Sequence, residues 1–352
     1  MLAQPAYMEP TTYRRLRLPH PKKHRRPLQQ TTLKHAIHCR GVGLHSGRPV
    51  TLRLIPAPAH TGLRFQRLDC PGTPSFRLTP ECIINSPLAT VASAPGQTGL
   101  HIATIEHLLA ALHACKIDNL LIQVDDAELP ILDGCASSFL FLLEAAGRTA
   151  LNAPRHIIHI CRPVSVQGKN GAYARLAPHH TGHLHLSLSI DFPAPAIGQQ
   201  SYALTLAKEP FKRDIAFART FVNYEDIAPL HAQGLALGGT LENALVIQHD
   251  HALNPGGMRR PDECVRHKML DAIGDLYCAG YGLSGQFEGY KTGHALNNQL
   301  LRAVLSSRNN WQFIADSAPD LPLPRKNIRL KEKNPLPLEN SHAIRKSWSA
   351  AS

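Results

Sequence analysis

His267, Asp271 and Asp275 stand four residues apart in the stretch DECVRHKMLDAIGDLYCAG, residues 262–280. All three are of types that hold metals or move protons. Pro261 and the acidic Asp262 and Glu263 mark a helix start, and Gly280 marks its end. Val265, Met269, Ile273 and Leu276 would face a core, while His267, Asp271 and Asp275 stack along another face. An imidazole and a carboxylate at this spacing reach one cation, and the pair suits zinc. An exposed His–Asp helical pair accounts for the spacing as well, in a chain with 21 histidines.

A second stretch, T-I-E-H-L-L-A-A-L at 104–112, reads as a helix with Thr104 as its N-cap and Leu108, Leu109, Ala111 and Leu112 on its apolar face. Glu106 and His107 fall in its first turn, at an exposed mouth. A hydrolytic zinc site requires three protein ligands, an open position and a carboxylate to take a proton from water. His107, His267 and Asp271 would be such ligands and Glu106 such a base. A glutamate held at a helix N-terminus by the backbone dipole fits Glu106 equally.

These two stretches, with Y-K-T-G-H-A-L-N-N, G-V-G-L-H-S-G and A-R-T-F, resemble motifs of the UDP-3-O-acyl-N-acetylglucosamine deacetylases, zinc amidases of lipid A synthesis. The similarity runs in order from about residue 32 to about residue 305. It implies a zinc ion on His107, His267 and Asp271, with Glu106 as the base. It also implies His294, kept protonated by Asp275, as the acid for the leaving amine, and Thr220 with Lys268 as donors to the oxyanion. Iron(II) suits a His₂Asp set too. The substrate would be acylated UDP-N-acetylglucosamine, met by His45 and Lys268. Leu44, Phe221, Ile227, Ala236 and Gly239 would line an apolar passage for its acyl chain. Individually, each of these could instead be a packing residue. The family's active-site cysteine, which precedes the T-x-E-H motif, has no counterpart in SPLATVASAPGQTG at 86–99.

The elements that must position these residues point to an α/β (α+β) chain of two layered domains, each a sheet packed with helices, and the resemblance implies that the two meet at the zinc. Strands are expected at 33–39, 50–56 and 119–125 and a helix at 136–146. A linker is expected at Asn152-Ala153-Pro154, then strands at 156–161, 163–167, 172–177 and 183–190. His183 and His185 alternate with leucines in the last of these and read as solvent-facing. The expected division is a disordered basic extension at 1–31, an N-terminal domain at 32–152, a C-terminal domain at 153–308 with a βαβ-like insertion at about 218–246, and a tail at 309–352.

Charge limits the alternatives. The net charge is +12, of which residues 1–30 carry +6 and residues 321–352 carry +5, leaving +1 for residues 31–320. A nearly neutral body gives no basic face for specific nucleic-acid binding. The basic ends suit weak contact with an anionic membrane surface. Eight cysteines without a C-x-x-C pair suit reduced thiols in the cytoplasm. No segment has the length of a membrane span or of a signal peptide's apolar region, so a soluble protein is expected, and a monomer is the expected state. A different zinc amidohydrolase, or a nonenzymatic protein that binds anionic partners through its basic ends, remains the alternative.

Overall fold

Alternating burial along Pro49–Pro56 turns Val50, Leu52 and Leu54 to one side of a five-stranded sheet. Its spatial order is Ile37–Val42, Pro49–Pro56, Leu120–Val124, Leu63–Arg67 and Phe76–Arg77. The structure, a computed structural model, describes residues 28–316 apart from Asn85, Pro87 and Thr98. A second, seven-stranded sheet is built on Leu283–Tyr290, which pairs with Tyr173–Ala177, His156–Ile160 and Leu184–Asp191. Leu184, Leu186, Leu188 and Ile190 point into the core, as the alternation predicts, and His183 and His185 are half-buried between them. The fold is α+β, with two layered halves sharing one apolar core.

Six helices are described: α1 (Glu106–Cys115), α2 (Ser137–Ala146), α3 (Lys208–Asp214), α4 (Tyr224–Ala232), α5 (Glu263–Tyr277) and α6 (His294–Leu305). None is long and apolar enough to cross a membrane. α1, from the first half, lies along α5, from the second. Every residue of α1 is buried, and so is every residue of α5 except Lys268. The close approach depends on Gly274. A Cβ there would lie 2.1 Å from the carbonyl oxygen of Glu106, so only glycine lets the two backbones touch.

Several boundaries differ from the sequence reading. Gln29–Leu33 is a strand paired with Arg148–Pro154, so the expected extension is ordered from there and the expected linker at 152–154 is sheet. Buried Thr31, Thr32 and Leu33 supply the reason. Trp311–Ala315 pairs with His156–Ile160, anchored by buried Trp311, so the expected tail at 309 begins in a strand. Residues 1–27 and 317–352 of the two expected ends lie outside the described residues. Thr104 does not cap α1. Its φ is +58°, unusual for a β-branched residue, and its hydroxyl donates to Glu128 Oε1 at 3.0 Å, while Ile105 occupies the N-cap.

The segment after Thr220 forms a β-α-β unit. Phe221–Asn223 leads into α4, and Leu245–Gln248 returns parallel to it.

Candidate active site

Because Gly274 seats α1 on α5, His107 meets His267 and Asp271. Their ligand atoms lie within 4.8 Å of one another, with His107 Nε2 3.6 Å and His267 Nε2 3.3 Å from Asp271 Oδ1. His267 Nδ1 donates to the Ala218 carbonyl at 3.0 Å, which leaves Nε2 facing the cluster with its lone pair. Burial lowers His267 to about 4, with Asp271 opposing. Asp271 Oδ2 accepts from Lys268 Nζ at 2.8 Å, but Oδ1 is buried without a hydrogen-bond partner. Burial works against charge on Asp271, yet His267 and Lys268 outweigh it and hold its carboxyl well below the usual range. Two imidazoles and an unpartnered carboxylate oxygen are the donor set of a divalent metal site.

The exposed helical pair and the exposed helix mouth are both overturned. Glu106 and His107 are each 3 % exposed, His267 2 % and Asp271 3 %, because the first turn of α1 is covered by α5 itself. Lys268 is the one residue of α5 that is not buried. It turns back to Asp271, its ammonium 5.7 Å above the Phe221 ring centre.

Two further titratable groups, Glu106 and His294, adjoin the cluster. Glu106 Oε2 accepts the Thr90 amide at 3.0 Å, and Oε1 lies 3.9 Å from His294 Nε2. Burial raises the Glu106 carboxyl, with His294 and His107 opposing. His294, the first residue of α6, places Nδ1 at 3.1 Å from both oxygens of Asp275. Burial opposes its charge, but Asp275, and then Glu106 and Asp271, raise it to about 9. Asn297 Nδ2 donates to Asp275 Oδ2 at 2.8 Å, and Thr292 Oγ1 donates to Asn297 at 2.6 Å.

Leu44, His45, Phe221, Ile227, Ala236 and Gly239 all line one largely apolar cavity of about 420 Å³, whose wall includes Thr220. Phe221 joins the cavity to the cluster, for its ring stands edge-on to His267 with centres 6.2 Å apart. Thr220 is pinned through its backbone, its amide to Gly134 and its carbonyl to Leu245. Both ring nitrogens of His45 are buried without partners, and its loop is tied down by Glu128, which accepts the His45 and Ser46 amides at 2.9 and 3.0 Å. Burial lowers His45, against Glu128.

Sequence reading overlooked Thr90, Glu128, Arg219 and Asn297. Arg219 lies within A-R-T-F and clamps Glu263 in the first turn of α5 at 2.9 and 3.1 Å, fixing the helix that carries two residues of the cluster. Asn297 lies within Y-K-T-G-H-A-L-N-N, so a polar residue three after His294 was a usable signal. Thr90 and Glu128 sit in stretches without any such pattern.

Comparison with known proteins gives the family of the chain. A family model described as UDP-3-O-acyl N-acetylglycosamine deacetylase matches residues 30–306. A protein of Glaesserella parasuis named UDP-3-O-acyl-N-acetylglucosamine deacetylase is 44% identical over 289 residues, 82% of this chain and 93% of that protein. Its namesake from Haemophilus influenzae is 45% identical over the same shares. The one from Photobacterium profundum is 42% identical over 84% of this chain and 96% of its own. The match spans both the α1 and the α5 contributions to the cluster, and the chain belongs to the UDP-3-O-acyl N-acetylglycosamine deacetylase family.

Proposed function

We propose that this protein hydrolyses the N-acetyl amide of UDP-3-O-(3-hydroxyacyl)-N-acetylglucosamine, releasing acetate, as a step of lipid A biosynthesis in the cytoplasm. The observation that carries the reading is Phe221, which is at once a neighbour of His267 and a wall of the apolar cavity. It sets space for an acyl chain beside a hydrolytic cluster.

Zinc is the metal proposed for His107, His267 and Asp271, where it would supply Lewis acidity and a water of lowered pKa. Glu106, raised by burial, takes the proton of the attacking water. The Thr220 hydroxyl and the Lys268 ammonium donate to the oxyanion as it develops. His294 enters charged, held by Asp275, and its Nε2 passes a proton to the sugar nitrogen as the amide C–N bond breaks. Small side chains at Ala236 and Gly239 leave room for the chain end, so bulk there sets which length fits.

Acetate release from this substrate by zinc-loaded protein, beside a chelator-treated sample and Glu106→Ala, tests the reading. Turnover lost in both controls supports it. Absence of turnover across several acyl lengths, with stoichiometric zinc, overturns the substrate and leaves another amide. Iron(II)-loaded protein run in parallel decides the metal.

A further inference from the structure

We infer that Thr90 is a positioning residue that holds both proton-moving groups of the site, Glu106 through its amide and His294 through its hydroxyl. The inference rests on the proton-transfer roles proposed above. Thr90 is 1 % exposed and has three anchors. Its amide donates to Glu106 Oε2 at 3.0 Å, its carbonyl accepts from Ile105, the N-cap of α1, and its hydroxyl donates to Asp275 Oδ1. The same hydroxyl oxygen lies 3.2 Å from His294 Nδ1. Since its hydrogen is directed to Asp275, its lone pair faces the imidazole N–H.

The consequence is a fixed tautomer and a fixed ring plane. His294 Nδ1 is surrounded by three acceptor oxygens, two of Asp275 and one of Thr90, so its proton stays there. Nε2 becomes the position that exchanges, and it is Nε2 that faces Glu106 Oε1 at 3.9 Å. Asn297 secures Asp275 Oδ2 but not Oδ1. Removing the hydroxyl therefore leaves Asp275 Oδ1 with the imidazole as its remaining partner and opens one side of the ring, while the amide hold on Glu106 remains.

Thr90→Val keeps the branched shape without the donor, and Thr90→Ser keeps the donor. In the zinc-loaded enzyme, Thr90→Val should lower kcat by about 10–100-fold, with KM within about twofold and a return to near wild-type kcat in Thr90→Ser. In metal-free protein carrying ¹⁵N-labelled histidine, the His294 Nδ1–H signal should be sharp in wild type and Thr90→Ser and lost to exchange in Thr90→Val. If Thr90→Val does not fold, Thr90→Ala carries the same expectations. An unchanged kcat with an unchanged Nδ1–H signal overturns the inference, as does a rise in KM alone. The nuclear resonance readout needs no substrate, so a wild-type enzyme inactive on the proposed substrate would sink the functional reading while leaving Thr90 separately decided.

Discussion

The α1–α5 interface has two stations with the same depth of burial and opposite chemistry. Near Gly274, Glu106 and His107 face His267 and Asp271, and one carboxylate oxygen is left without a partner. A few residues further along both helices, His113 stacks on Tyr277 with ring centres 4.4 Å apart and planes 8° from parallel. There each ring has a backbone partner. His113 Nδ1 donates to the Ile273 carbonyl at 3.1 Å, and Tyr277 donates to the Ile117 carbonyl at 2.7 Å. Beside them Arg155 is bound by Asp118 and Asp316. Burial alone therefore does not distinguish a working site from a strut. Residual demand for a partner does, since a buried polar group without one destabilises the fold unless something else uses it.

Perturbing one station at a time sharpens that contrast. Glu106→Gln should lower kcat by about 10²–10⁴ while leaving the melting temperature unchanged or higher, because the amide oxygen can still accept from Thr90. A lower melting temperature with normal turnover would erase the distinction between the stations. Gly274→Ala should disturb both, since the added carbon must push α1 away from α5. A loss of about 1–3 kcal/mol by denaturant titration, together with loss of metal binding, is expected.

The second station has its own pH signature. Burial lowers His113 to about 3, below the value of about 6.5 for an unfolded histidine. The unfolded chain then takes up a proton that the folded chain refuses. This contribution is intact above about pH 6.5, and as pH falls toward 3 the protein should lose about 1.4 kcal/mol per unit. His113→Gln should flatten that slope in denaturant titrations at pH 4, 5 and 7. The smallest effect belongs to Tyr277→Phe, which should lower stability by about 0.5–1.5 kcal/mol with kcat within about twofold of wild type. A large fall in kcat there would mean that the two stations are coupled.

The ligand types were legible because a helix repeats its faces, so H-x-x-x-D within 262–280 and E-H at the start of a helix announce themselves. The strand His183–Ile190 was legible for the same reason, through its period of two. What the sequence did not disclose were properties set by contacts distant in the chain. The burial of Glu106 comes from α5, and the strand role of 152–154 comes from residues 29–33. The role of Thr104 comes from Glu128. Thr90 was silent because a lone threonine in an apolar stretch acquires meaning only when Asp275 and His294 arrive beside it.

The contact at Gly274 also bears on how the protein comes into being. It joins His107 to His267 across 160 positions of chain, a non-local closure of the kind that forms slowly. No early fragment can present the complete cluster, so a cation held there as proposed would select the finished fold. Free metal at about a hundred times Kd would add about 2.7 kcal/mol to the native state. A chelator should therefore lower the melting point of the full-length chain without slowing the step in which it folds.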